Sequence, residues 1–194
     1  MNSPLYHLSQ RNPNATTFRE ISPYAKGPGV RQLQRDLNRR FELLGVSAMT
    51  SLGLDSLRID GWFGRETLSA VKYVQCISGL PVNGHVTART YTFITRGVAG
   101  LEPLSLGSTG IGVLALKQVL AAETEIAIAH DGRFCQFTER AVMAYQRSLG
   151  LVCDGVVGTE TWGAVVRSRL GGLPCIVLLP SSHTLAGNTI FNNS

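Results

Sequence analysis

The stretch Asp60 to Thr67, DGWFGRET, compresses a turn, a core plug and a helix start into eight residues. Asp-Gly supplies a tight turn with a left-handed second residue, Phe63 is an apolar plug, and the closing polar residues suit the first turn of a helix. The same pattern recurs as NGHVTART from Asn83, DGRFCQFT from Asp131 and DGVVGTET from Asp154. Each copy is Asp or Asn, then Gly, any residue, an apolar residue, three residues and Thr. Four copies in one chain predict a repeated unit built of turns and short helices.

Residues 60–90 align with residues 131–161 at a constant offset of 71 without a gap, and 12 of the 31 pairs are identical. Self-similarity at a fixed period is the mark of a duplicated module. After each turn the apolar residues recur at helical spacing. Val71, Val74 and Ile77 do so in the first copy, and Val142, Tyr145 and Leu149 in the second, so both stripes are expected to face a core. Upstream, Val30, Leu33, Leu37, Phe41 and Leu44 form another stripe, with Arg31, Arg35 and Arg39 opposite it. Its counterpart, Val113, Leu116 and Leu120, aligns at an offset of 83. The first copy therefore carries twelve additional residues, placed in a loop at about 47–57.

These periods predict an all-α chain of two tandem three-helix modules. Residues 1–26 form an N-terminal arm, 27–97 the first module, 98–110 a Gly-, Pro- and Ser-rich linker, 111–170 the second module and 171–194 a C-terminal tail. The apolar run 176–179 reads as a short strand, too short to cross a bilayer. Met1 to Phe18 lacks a continuous apolar stretch, which argues against a secretory signal and a membrane span.

The net charge of +5 is unevenly placed. Residues 1–97 hold twelve Lys and Arg against six Asp and Glu, whereas residues 98–194 hold six against seven. A basic first half favours anionic partners. The arginine stripe lacks interleaved aromatics and a Gly-rich phosphate loop, so it reads as the solvated face of an amphipathic helix, and nucleic acid is not expected as the partner. Cys76, Cys135, Cys153 and Cys175 have no Cys-x-x-Cys spacing and no His at ligand distance. Buried free thiols are the plain reading, and a Cys135–Cys153 bridge is the alternative.

With VRQLQRDL at Val30, DGWFGRET at Asp60, Gln75, and GLVCDGVVGTETW from Gly150, the chain resembles the peptidoglycan-binding domain family of wall hydrolases and phage endolysins. The resemblance covers about residues 27–97 and 107–170. Departures from the family pattern are Lys117 in place of Gln, Cys135 in place of Gly, and Asn83 and Thr87 in place of Asp and Gly. It implies binding of peptidoglycan, whose sugar faces, amides and carboxylates would meet aromatic, amide and cationic side chains. Near the turns those residue types are Trp62, Arg65, Gln75, Arg133, Tyr145, Gln146 and Trp162. Tyr145 and Trp162 fall on apolar positions, where core packing competes with ligand stacking. Trp62 and Arg133 occupy the variable position of the turn and are expected at the surface.

The turn residues Asp60, Gly61, Asn83, Gly84, Asp131, Gly132, Asp154 and Gly155 are expected to be structural, the carboxylates bonding their own backbone rather than acting in catalysis. No calcium-loop spacing follows them. His7, His85, His130 and His183 form no zinc or nucleophile-activating pattern. No catalytic residue, metal or cofactor is therefore expected. The expected function is non-catalytic docking of an assembly to the cell wall, with the protein facing the wall or associated with a virion. The alternatives are a structural adaptor of a phage virion or tail, pairing with protein neighbours through its arm and tail, and a targeting subunit whose hydrolase lies on another chain.

Overall fold

The computed structural model describes residues 6–8, 16–45 and 55–170. The chain is all-α in its modules, with six α-helices among these residues. They are α1 (Pro28–Leu44), α2 (Arg65–Ile77), α3 (Ala88–Arg96), α4 (Ile111–Glu123), α5 (Gln136–Ser148) and α6 (Thr159–Leu170). Three helices fall in each module. The arm adds a small antiparallel pair, β1 (Tyr6–Leu8) and β2 (Thr16–Phe18), in which His7 faces Thr17.

Helix α1 starts with Pro28, whose fixed φ and missing N–H suit the first helical turn. It buries Val30, Leu33, Gln34, Leu37 and Phe41. Helices α2 and α5 end alike. Gly79 and Gly150 take left-handed φ values of 66° and 68°, and Leu80 and Leu151 donate their N–H back to the carbonyls of Gln75 and Gln146. This closure satisfies carbonyls that the helix leaves unpaired, and it explains why the Gly-Leu pair is identical in the two copies. Val142 and Tyr145 are buried as the stripe predicts, but Leu149 is 45% exposed. It sits at the C-cap of α5, beyond the last turn whose side chains reach the core.

The four plug residues Phe63, Val86, Phe134 and Val157 are all buried. Backbone bridges tie the segment before each first helix to these plugs' turns. Ile21 pairs with Val86 and Lys26 with Trp62, while Leu104 pairs with Val157 and Thr109 with Arg133. The two sets are related by the same offsets, 83 and 71, that the sequence shows. The additional segment of the first module returns at Leu57, which is 3% exposed. Asn38 holds it there, donating to the Leu57 carbonyl at 2.9 Å and accepting its N–H at 2.8 Å.

The modules pack directly on each other. Val98 and Leu101 touch both cores, and Val166 of α6 belongs to the core of the first module. A Cβ on Gly79 would lie 2.8 Å from Ala115 Cβ and 3.4 Å from Gly112 Cα, so α2 and α4 meet almost backbone to backbone. Arg169 of α6, 5% exposed, crosses this seam. It donates to the Cys76 carbonyl at 3.1 Å, the Ala115 carbonyl at 3.1 Å and Gln118 Oε1 at 3.0 Å. Burial holds its guanidinium below the usual arginine range.

Cys135 is an exposed free thiol and Cys153 a half-buried one, so the two are not bridged and Cys135 is not a core thiol. Cys76 is disulfide-bonded, which replaces the free-thiol reading at that position. Residues 171–194, with Cys175 and the expected strand at 176–179, lie outside the described residues, as does most of the 47–57 loop. No described helix is long and apolar enough to cross a membrane.

Candidate functional site

Three of the four turns share one internal scaffold, a glutamine buried in the preceding helix. Gln34 of α1 accepts the Gly61 N–H at 2.9 Å and donates to Asp60 Oδ1 at 2.9 Å, the Trp62 carbonyl at 3.0 Å and Thr67 Oγ1 at 3.2 Å. Gln75 of α2 holds Gly84, Asn83, His85 and Thr90 in the same way. Gln146 of α5 holds Gly155, Asp154, Val156 and Thr161. Each Asp or Asn also accepts the N–H two residues on, at 2.8 Å for Trp62, 2.9 Å for His85, 3.2 Å for Arg133 and 2.9 Å for Val156.

The turn at Asp131 differs because its helix supplies Lys117. An ammonium group has three donors and no acceptor. Lys117 Nζ therefore donates to Asp131 Oδ1 at 2.5 Å and to the Ala129 carbonyl at 3.1 Å, and offers nothing to the Gly132 N–H. Gly61, Gly84 and Gly155 adopt φ of 77°, 80° and 74°, whereas Gly132 does not enter the left-handed region expected of it. Hydrogen bonding from Lys117 holds the Asp131 carboxyl below the usual carboxylate range. Gln34 does the same for Asp60, and the Val156 N–H for Asp154.

The seven candidate ligand-binding residues separate into two groups. Gln75 and Gln146 are buried with their amides committed to the turns. Tyr145 and Trp162 are each 3% exposed, and Trp162 Nε1 donates to the Glu102 carbonyl at 2.9 Å. Trp62, Arg65 and Arg133 lie at the surface. The residue that the sequence reading passes over is Gln34. Its signal is its place on the apolar stripe of α1, where a buried amide demands partners.

Beside the last turn lies an open groove of about 260 Å³. Leu151, Val152 and Val156 give it an apolar lining, while Asp154, Thr159 and Glu160 give it a polar one. Val152 is 74% exposed. The described residues contain no cluster of three or more His, Cys, Asp or Glu able to hold a metal ion.

Residues 26–94 and 109–165, more than half of the chain, match the family described as "Putative peptidoglycan binding domain". The chain belongs to this peptidoglycan-binding domain family, with two tandem copies. No curated protein matches it. Among solved structures it is similar to a peptidoglycan-binding protein from Clostridioides difficile, crystallised in complex with glutamine hydroxamate. The identity is 29% and the TM-score 0.33, and the match covers 34% of this chain and 41% of that one.

Proposed function

We propose that the protein binds peptidoglycan without cleaving it and docks an attached assembly on the cell wall, with the groove of the second module as its main contact. The observation that carries this reading is the groove itself, formed where a rigid turn meets the start of α6. Its lining joins exposed aliphatic surface to carboxylate and hydroxyl groups. An N-acetylated glycan with peptide stems offers methyl groups to Val152 and Val156. Its amide N–H groups suit Asp154 and Glu160. Because Gln146 fixes the turn from beneath, the groove is preformed, and binding does not have to order it.

The test is co-sedimentation of the full chain with isolated sacculi, alongside release of dye from labelled sacculi. Pelleting without dye release is expected, and Val152→Asp should leave most of the protein in solution. Wild-type protein that stays in the supernatant at low salt would defeat the wall-binding reading. Dye release would defeat the non-catalytic part of it.

A further inference from the structure

We infer that the first module carries a separate site for acidic saccharide, built around Trp62 and the cations beside it. This inference deepens the wall-binding reading by adding a second contact of different chemistry. Trp62 is half exposed, and Lys26 Nζ stands 5.9 Å from its ring centroid. The backbone bridge between Lys26 and Trp62 fixes that pairing. The Arg31 side chain runs across Gly61, with Cγ and Nε both 2.8 Å from where a Cβ would stand. Arg58 and Arg65 bracket the same turn, and Arg58 helps to hold the Asp60 carboxyl ionised. All four cations are exposed, and none is in an ion pair among the described residues. They outnumber the local carboxylates, Asp60 and Glu66.

The duplicated module shows that the fold does not require these residues. The same offsets place Thr109 at the position of Lys26, Leu114 at Arg31, Ala129 at Arg58, Arg133 at Trp62 and Gln136 at Arg65. The second module makes the equivalent backbone bridge, Thr109 with Arg133, without them. An exposed indole edged by unpaired cations suits a sugar ring with an acidic substituent, the ring lying against apolar surface and the carboxylate meeting Lys26 and Arg31. The second module offers one cation and no aromatic ring at these five positions.

The test titrates the full chain with a soluble glycan fragment bearing free carboxylates and with its methyl ester, following tryptophan emission. Trp62→Phe identifies the signal, since Trp162 is buried. The acidic fragment should change the emission, and the ester should bind roughly tenfold more weakly, as loss of a charge-assisted hydrogen bond implies. Arg31→Gln and Lys26→Gln should weaken the acidic fragment, while Arg140→Gln, at an exposed cation of the second module outside both sites, should not. Equal binding of the ester, or no response at Trp62, would overturn the site. So would displacement of the fragment by an oligothymidylate of equal charge, which would make the face a polyanion site. Failure of sacculus binding with a normal fragment titration would count against the groove alone.

Discussion

Gly155 donates its backbone N–H to the side-chain oxygen of Gln146 at 3.0 Å, and that bond is the keystone of the turn beneath the groove. The same amide donates to Asp154, Val156 and Thr161, so one side chain satisfies four polar groups. Gln146→Leu keeps the volume and removes every partner. It should cost about 2–4 kcal/mol, because buried polar groups left unpaired lose their hydration without compensation. Urea unfolding followed by circular dichroism measures this. A loss below ~0.5 kcal/mol, the range of ordinary surface changes, would show that the clamp is dispensable.

Gly155→Ala should destabilise the chain by about 1–3 kcal/mol, since φ is 74° and the new Cβ would stand 2.8 Å from Glu139 Cγ. Gly132→Ala should cost less, because Gly132 lies outside the left-handed region and its Cβ would meet the Gly110 carbonyl at 3.2 Å. Thermal melts of the two variants give the order, and equal losses would contradict it.

Acid should weaken the turns. The carboxyls of Asp60, Asp131 and Asp154 are held below the usual range in the folded chain. Their contribution is complete above the unfolded aspartate value of about 3.9 and is lost as pH falls through the lower folded values. Tm should therefore decline on acidification below about pH 4. Asp131→Asn should flatten part of that decline, because Lys117 then has no carboxylate to hold ionised. An unchanged Tm profile in Asp131→Asn would refute the assignment.

Cys135 should react first with a thiol reagent under native conditions. It is exposed at the N-cap of α5, and hydrogen bonds from the Thr138 N–H and Oγ1 hold its thiol below the usual cysteine range. Mass spectrometry after brief alkylation should find Cys135 modified ahead of Cys153. Thr138→Val should slow the reaction, and the opposite order of labelling would remove the basis for this ranking.

Much of this architecture was legible in the sequence because the turn pattern ties a backbone requirement to a helix start. Asp60, Asn83, Asp131 and Asp154 each precede a helix, and the offsets 71 and 83 reappear in the backbone bridges. Leu149 misled because helical spacing continues one residue past the helix, into a cap that faces solvent. Gly132 misled because its conformation is set by a side chain distant in sequence. At this turn the buried, donor-only Lys117 stands where the other three have a glutamine that accepts the glycine N–H. Gln34 was hidden by the loop that separates it from Asp60. Gln75 and Gln146, by contrast, stand eight residues before Asn83 and Asp154 in both copies. The packing between modules had no signal at all, since Gly, Pro and Ser between 98 and 110 resemble a tether by composition.

That packing gives the pair of modules the character of a caliper. Two binding domains on a flexible tether sample many separations, and their combined affinity falls off gradually as targets spread. Here Gly79 rests against Ala115, and Arg169 stitches α2, α4 and α6 together, so the face at Trp62 and the groove at Val152 keep one separation and one relative angle. If both faces hold the wall as proposed, a wall strand satisfies both only where its own geometry matches that fixed span. On that proposal the chain would respond to how the mesh is spaced as well as to what it is made of.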